Sequence, residues 1–280
     1  MTAQATIAAL QAASRSLTTR HEGCCLNWQH WPSVKPGATP LLLLHGGFGS
    51  WTHWIANIEA LRSGYEVWTV DLPGLGNSGD LPAPCSVEHI AELIFAGWTH
   101  VSTADQPFDV AGFSFGGMVA GRLALLAGEG CRRCILIGAV GFGPLQVQVE
   151  LLPPPGPGTD QQLADDTHRE NLKRLMLHDV DRIDSLAVCI HAHNLARSRL
   201  RSRGLAVSNQ LAETLPHIRA ELTGIWGEFD ATAGGAACIA TRREMFAGAQ
   251  PGAAFHLLPG VGHWAMYESP ASINRLILAR

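Results

Sequence analysis

A serine between two glycines is the strongest chemical signal in this chain. Residues 112–116 read Gly-Phe-Ser-Phe-Gly, with Ser114 at the centre, between a short apolar segment and a run of small and apolar residues. A sharp turn from a strand into a helix lifts a serine hydroxyl clear of a sheet, and glycines on both sides tolerate the crowding there. This context predicts a nucleophilic serine, whereas the five residues alone would also fit an ordinary turn.

A serine hydroxyl needs two partners before it attacks a carbonyl carbon. A histidine must take its proton, and a carboxylate must orient that histidine. Asp230 and His263 each follow a separate apolar, strand-like segment, and the chain order is serine, aspartate, histidine. Since the carboxyl ends of parallel strands meet at one edge of a sheet, we predict that Ser114, His263 and Asp230 form a catalytic set. Glu228 is the nearest competing carboxylate.

An acyl-transfer site also needs N–H groups aimed at the oxygen that gains negative charge. One should be the backbone N–H of Phe115, the residue after the serine. The other should come from the glycine-rich loop at 45–49, where glycines allow the backbone to approach a substrate closely. We favour the N–H of Gly47, with that of Phe48 as the alternative.

Aromatic side chains lie in or beside these loops. We predict that Phe48, Phe113 and Trp264 line an apolar substrate pocket, although each also fits the hydrophobic core. Four arginines at alternating positions, Arg197, Arg199, Arg201 and Arg203, form either a solvated basic face or a site where one guanidinium holds a substrate carboxylate.

The elements that position these residues alternate between short apolar runs and helical stretches. This pattern predicts a mostly parallel sheet with helices on both faces, an α/β fold. Strands are expected near 24–31, 41–44, 65–70, 108–111, 134–137, 222–226 and 254–258. Proline- and glycine-rich sequence after residue 141 interrupts the alternation. We predict a core at 22–141 and 217–280, a helical insertion at 142–216 and an N-terminal lead-in at 1–21.

Taken together, these motifs resemble the α/β-hydrolase superfamily. The similarity covers the chain from about residue 22, and within the insertion it rests only on position and helical character. The matching segments are His-Gly-Gly-Phe-Gly at 45–49, the loop at 71–79, Gly-Phe-Ser-Phe-Gly-Gly at 112–117, Gly-Glu-Phe-Asp at 227–230 and Gly-His-Trp at 262–264. The resemblance implies the α/β-hydrolase fold and a helical cap over the active site. It also implies a structural role for Asp71 and Ser78 in their loop.

The nucleophile and its neighbours narrow the reaction. Serine at position 114 argues against dehalogenase and epoxide hydrolase chemistry, for which related enzymes use aspartate. His-Trp at 263–264 resembles the C–C hydrolases of aromatic ring cleavage, but those enzymes commonly have asparagine where this chain has Phe113, and Gly-Pro where it has Phe48 and Gly49. We predict an esterase that cleaves a small to medium, partly apolar carboxylic ester through an acyl-enzyme. Hydrolytic C–C cleavage of a vinylogous diketone is the alternative.

A non-catalytic binding protein of the same fold is a hypothesis of a different class. The presence of all three candidate residues, Ser114, Asp230 and His263, argues against it, because a binder has no physical need for such a set.

Charge and cysteine content exclude other classes. A net charge of −4 gives no basic footprint for nucleic acid or an anionic membrane, and the apolar run at 41–44 is too short to span a bilayer. The N-terminus lacks the features of a secretory signal, and seven cysteines favour a reducing, cytoplasmic setting. Cys-x-x-Cys at 131–134 and His-x-His at 191–193 lack further metal ligands. We expect a small-molecule substrate, no metal and no cofactor; the oligomeric state stays open.

Overall fold

The computed structural model describes residues 1–81, 85–102, 106–143 and 149–279. Eight strands form one sheet in the order β1-β2-β4-β3-β5-β6-β7-β8. The strands are β1 (Arg15–His21), β2 (Cys24–Trp31), β3 (Thr39–Leu44), β4 (Tyr65–Val70), β5 (Phe108–Phe113), β6 (Cys131–Ile137), β7 (Glu221–Gly227) and β8 (Ala254–Leu258). β1 and β2 pair antiparallel to their neighbours, and β3 to β8 run parallel. This is the architecture that the alternating pattern predicts.

Helices cover both faces of the sheet. They are α1 (Ala3–Ala12), α2 (Ile58–Leu61), α3 (Val87–Val101), α4 (Phe115–Ala127), α5 (Gln161–Leu175), α6 (Ser185–Ala196), α7 (Ser202–Ala206), α8 (Gln210–Thr214), α9 (Ala236–Ala249), α10 (Ala265–Glu268) and α11 (Pro270–Leu278). Across the described ranges, no helix is long and apolar enough to cross a membrane.

The central strand β3 shows why its sequence is apolar without alternation. Leu42 and Leu44 belong to the hydrophobic cluster that contains α3, α4 and α9, whereas Leu41 and Leu43 belong to the cluster that contains α2 and α11. Successive side chains of a strand point to opposite faces, and here both faces are covered. Four consecutive leucines therefore bury every side chain and place the following loop at the carboxyl edge of the sheet.

The N-terminal boundary of the predicted core needs correction. The sequence pattern places the segment at 1–21 ahead of the core, but β1 pairs along its length with β2 and is the edge of the sheet. β1 reads Arg-Ser-Leu-Thr-Thr-Arg-His, and most of its side chains are exposed. A polar edge strand is held mainly through backbone hydrogen bonds and shows no hydrophobic periodicity, which is why the pattern does not reveal it.

The segment predicted as a helical insertion carries α5, α6, α7 and α8, and its residues 144–148 lie outside the described residues. Backbone hydrogen bonds connect it to the core near the predicted site. The N–H of Leu200 donates to the carbonyl of Gly74 (3.1 Å), and the N–H of Trp264 donates to the carbonyl of Met176 (2.7 Å). The insertion is therefore hydrogen-bonded to loops at the carboxyl edge of the sheet.

Candidate active site

Ser114 lies in the turn between β5 and α4. Its backbone angles, φ 53° and ψ −118°, belong to a region that residues with a side chain rarely adopt. A Cβ at Gly112 would collide with the carbonyl of Gly116, and one at Gly116 would collide with the carbonyl of His45. Only glycine fits at both flanking positions, so the strained turn requires the spacing that the sequence shows.

The three residues predicted to act together are hydrogen-bonded in series. The hydroxyl Oγ of Ser114 lies 3.0 Å from Nε2 of His263. Nδ1 of His263 lies 2.8 Å from Oδ1 of Asp230, and both side chains are buried. With the proton on Nδ1 donated to the carboxylate, Nε2 is left to accept the hydroxyl proton of Ser114. This arrangement can deprotonate the serine.

Thr232 is a further member of this cluster that sequence reasoning missed. Its backbone N–H and its hydroxyl both donate to Oδ1 of Asp230 at 2.8 Å. Burial raises the pKa of Asp230, but the electrostatic interaction with His263 and the hydrogen bonds from His263 and Thr232 outweigh it, and the pKa lies below its ordinary value. An aspartate often accepts a hydrogen bond from the backbone N–H two residues later, in a local turn. The contact between Asp230 and Thr232 could therefore have been predicted from the sequence.

Glu228, the competing carboxylate, is exposed and accepts a hydrogen bond from the N–H of Gly260 at 2.9 Å. It holds the loop between β8 and His263 rather than contacting the histidine. The geometry therefore places Asp230, and not Glu228, against His263.

Gly138, immediately after β6, is a second position that the sequence did not reveal. It adopts φ +51°, and a Cβ there would lie 3.0 Å from Oδ2 of Asp230 and 3.1 Å from Nδ1 of His263. Both distances are shorter than ordinary van der Waals contact. The hydrogen-bonded pair of Asp230 and His263 therefore packs directly on this glycine.

The expected oxyanion donors lie next to one another. A Cβ built on Gly47 would lie 3.8 Å from Cβ of Phe115 and 2.5 Å from Oγ of Ser202, which belongs to α7. Phe115 is the first residue of α4, so its N–H has no partner within the helix. Phe48 also lies here and adopts φ 55°.

Buried polar residues hold the glycine-rich loop in this position. Nε2 of His45 accepts from the N–H of Leu72 at 2.9 Å, and its Nδ1 donates to the carbonyl of Gly46 at 2.8 Å. The carboxylate of Asp71 accepts from the backbone N–H groups of Trp51 and Asn77, both at 2.9 Å. Asp71 thus joins the loop after β4 to the loop after β3, in the structural role expected of it.

The loop that carries His263 is fixed from its other side. The buried carboxylate of Glu268 accepts from the N–H of Gly262 at 2.7 Å and from the N–H of Asp179 at 2.5 Å. Because Asp179 belongs to the insertion, one carboxylate ties the histidine loop to the segment between α5 and α6. This contact restricts the position of His263 relative to the insertion.

A cavity with two connected lobes lies between the insertion and the carboxyl edge of the sheet. The smaller lobe, of about 280 Å³, contains Ser114 and His263, and the larger lobe has a volume of about 670 Å³. The residues that line both are Gly47, Phe48, Val149, Leu175, Met176 and Arg203. Of the predicted pocket aromatics, Phe48 lines both lobes, Phe113 lines the smaller lobe and Trp264 lines the larger one.

The four arginines of the insertion divide into two pairs. Arg203 lines both lobes of the cavity and Arg201 lines the larger one, although both residues are also exposed. Arg199 pairs with Asp80 at 2.5 Å, and Arg197 is exposed. Arg201 and Arg203 are therefore the members placed where a guanidinium can meet a substrate carboxylate.

The remaining motifs have structural surroundings. Cys131 and Cys134 are buried in β6, and burial raises the pKa of both thiols, that of Cys131 to about 12. Nδ1 of His191 lies 3.0 Å from Nδ1 of His168, on α5. Within the described residues, no three histidine, cysteine or carboxylate side chains are grouped so that they could hold a metal ion.

Comparison with known proteins identifies the family of this fold. A family model described as the alpha/beta hydrolase family matches residues 41–276. The chain belongs to the alpha/beta hydrolase family. It is accordingly an enzyme of the hydrolase class, as the sequence motifs predicted.

Several proteins of known name are similar to nearly the whole chain. A 2-hydroxy-6-oxononadienedioate/2-hydroxy-6-oxononatrienedioate hydrolase from Paraburkholderia phymatum is 25% identical, over 98% of this chain and 97% of its own length. Among solved structures, the meta-cleavage product hydrolase CumD of Pseudomonas fluorescens IP01 superimposes with a TM-score of 0.74, at 20% identity, over 94% of this chain and 96% of its own. The esterase RhEst1 from Rhodococcus sp. ECU1013 has the same TM-score at 16% identity, covering 95% of this chain and 97% of its own.

Proposed function

We propose that this hydrolase uses Ser114 as nucleophile, His263 as base and Asp230 as the group that orients the base, and that it cleaves a C–C bond next to a ketone in a vinylogous diketone. The observation that carries this choice of reaction is the extent of the match to the dienedioate hydrolase, which includes the insertion as well as the core. The insertion lines most of the larger lobe, so similarity across it bears on the substrate.

The sequence motifs alone favoured ester hydrolysis. The match to the dienedioate hydrolase, which extends over nearly the whole chain, favours C–C cleavage instead. A 2-hydroxy-6-oxo acid contains no ester bond, so a hydrolase that acts on one attacks the ketone and breaks the adjacent C–C bond. The likeness to the esterase structure is at 16% identity and supports the fold alone.

The proposed reaction uses the contacts of this site in the following order. His263 takes the proton of Ser114 across the 3.0 Å contact, and Oγ forms a bond to the ketone carbon. The N–H groups of Gly47 and Phe115 stabilise the resulting oxyanion. This cleavage requires the 2-oxo tautomer of the substrate, in which the proton of the 2-hydroxyl group has moved to C5. When the C5–C6 bond then breaks, its electron pair passes into the conjugated 2-oxo chain as a dienolate, which the proton held by His263 neutralises. Water, activated by His263, then hydrolyses the acyl-enzyme and regenerates Ser114.

The wall of the cavity suits the two parts of such a substrate. Arg203, with Arg201 beside it, offers a guanidinium for the substrate carboxylate. The smaller lobe is lined near Ser114 by Phe113, Val140 and Ala206, which suits the acyl part that remains on the serine.

The test is turnover of a coloured 2-hydroxy-6-oxo-dienoate, whose absorbance disappears when the conjugated chain is cut. We expect the wild type to bleach it and Ser114→Ala to leave it unchanged, while Ser102→Ala, at the end of α3 and away from the cavity, retains full activity. Bleaching by Ser114→Ala at the wild-type rate would refute the proposed nucleophile.

Ester hydrolysis is the second candidate, favoured by one observation at the site. Phe113 is buried, with its ring centroid 4.8 Å from that of His263, and it presents an apolar face beside the nucleophile. Such a face suits an apolar acyl chain. Turnover of p-nitrophenyl acetate and butyrate without bleaching of the dienoate would favour this candidate. No turnover of any of these compounds, together with no labelling by a fluorophosphonate probe, would refute Ser114 as the nucleophile.

A further inference from the structure

The buried end of the larger lobe carries polar side chains that the proposed reaction does not use. His53, His191 and Asn194 all line this lobe. His191 and Asn194 are three residues apart on α6, so they lie on the same face of the helix. His53 belongs to the turn after the glycine-rich loop, and Ser50 of that turn donates to Oδ1 of Asn194 at 2.7 Å. The three side chains therefore form one wall, contributed by the core and the insertion.

Hydrogen bonds to the protein fix what two of these side chains can offer a ligand. Oδ1 of Asn194 accepts from the hydroxyls of Ser50 and Thr52, and Nδ2 is buried without a partner in the described part of the chain. Nδ1 of His53 accepts from the N–H of Gly46 at 3.3 Å, so its neutral ring carries the proton on Nε2. Asn194 and His53 thus each have an N–H donor to offer.

The third side chain, His191, is adaptable. Its Nδ1 is hydrogen-bonded to Nδ1 of His168, and either ring can be the donor. When Nδ1 of His191 donates, its Nε2 is an acceptor, and when Nδ1 accepts, Nε2 carries the proton and is a donor. Burial, together with the neighbouring His168, lowers the pKa of His191 to about 4. Burial also lowers the pKa of His53 well below its usual range. Both rings are therefore neutral near pH 7.

We propose that Asn194, His53 and His191 form a binding subsite for an uncharged oxygen of the substrate, a ketone or hydroxyl oxygen remote from the bond that Ser114 attacks. This subsite deepens the proposed function and rests on it. A donor left unpaired beneath the insertion costs free energy that a ligand oxygen recovers. A carboxylate is a poorer occupant than an uncharged oxygen, because it loses more hydration on entry and these three side chains offer no positive charge in return.

The position of the arginines supports this assignment. Arg201 and Arg203 are exposed to solvent, whereas Asn194 and His53 are only 1% and 5% exposed. The cavity is thus graded from a charged end near solvent to a neutral, hydrogen-bonding end in the interior. A substrate with one carboxylate and one uncharged oxygen satisfies both ends, whereas a diacid, such as the dienedioate in the name of the relative, leaves its second charge against the neutral wall. We therefore expect this chain to differ from that relative in the substrate it prefers.

Ligand binding to Ser114→Ala tests the subsite without turnover. We would titrate this protein calorimetrically with hexanoate, 5-oxohexanoate and hexanedioate, which share a carboxylate and differ at the other end. We expect 5-oxohexanoate to bind about tenfold more tightly than hexanoate, the gain of one net hydrogen bond, and more tightly than hexanedioate. Equal affinity for the first two, or a preference for the diacid, would overturn the proposal.

Added substitutions assign the preference to this wall. In the Ser114→Ala background, His191→Phe and Asn194→Asp should each reduce the ratio toward one, and Asn194→Asp retains an oxygen to accept from Ser50 and Thr52. His193→Phe is the matched control, because His193 is on the same helix and is not among the residues that line the cavity, and it should keep the ratio. A ratio unchanged in both wall variants also overturns the subsite. A protein with the expected binding ratio but no wild-type turnover would retain the subsite and refute the proposed reaction.

Discussion

Replacing Gly138 by alanine should separate backbone strain from disturbance of the site. Gly138 has φ +51°, a conformation that costs a residue with a Cβ about 1–2 kcal/mol. Gly128, at the end of α4, has φ +54°, and a methyl group added there would meet no atom within 4 Å. Gly128→Ala is therefore a control with a similar positive φ and no new contact.

The added methyl of Gly138→Ala meets the two side chains that we propose activate Ser114. It would lie 3.0 Å from Oδ2 of Asp230 and 3.1 Å from Nδ1 of His263, so these atoms must move by a few tenths of an ångström. A displacement of 1 Å in a catalytic geometry costs about 10²-fold in rate, and the smaller displacement here should cost about tenfold in kcat. Both variants should lose about 1–2 kcal/mol of stability, or several degrees in Tm.

The assay pairs thermal unfolding with steady-state kinetics on whichever substrate the wild type turns over. The expected result is a similar fall in Tm for the two variants, with a loss of kcat in Gly138→Ala alone. Full kcat in Gly138→Ala would refute the inference that this glycine supports the contact between His263 and Asp230. A matching loss of kcat in Gly128→Ala would show that strain, rather than the contact, is responsible.

Three further predictions follow from the hydrogen bonds around the site. Asp230→Asn should lower kcat about 10⁴-fold, because an amide favours the wrong tautomer of the histidine, whereas Glu228→Gln, at the exposed carboxylate, should change it less than twofold in the same assay. Asp71→Ala should lower the free energy of unfolding measured in urea by about 2–4 kcal/mol, because two buried N–H donors lose their acceptor. Since the pKa of His191 is about 4 in the folded protein and higher in the unfolded chain, the unfolded chain binds more protons between these values. Tm should therefore fall on acidification from about pH 6.5 to 4, and less steeply in His191→Phe.

The sequence predicted the sheet and the nucleophile turn because both are encoded locally. The four leucines at 41–44 indicate a strand that is buried on both faces. The glycines around Ser114 indicate a turn in which a Cβ would collide with the backbone. Asp230 and His263 lie in loops that follow two apolar strands. Because these strands are parallel, both loops lie at the same edge of the sheet. By contrast, the edge strand β1 is polar and mostly exposed, so its composition does not indicate that it pairs with β2.

The proposed subsite of Asn194, His53 and His191 could not be predicted from the sequence, because the core and the insertion each contribute to it and its residues share no sequence pattern. In the sequence, His191 is half of a His-x-His motif and His53 is one of thirteen histidines. They become parts of one surface only because Ser50 and Thr52 bind Asn194, which brings the turn after the glycine-rich loop against α6. Their neutral state likewise follows from burial between two elements rather than from any neighbour in the chain. The proposed reacting groups lie at the strand ends of the core, whereas the proposed subsite depends on how the insertion packs on that core. A substitution in the insertion should therefore alter the preference between a ketone and a carboxylate while Ser114, His263 and Asp230 keep their geometry.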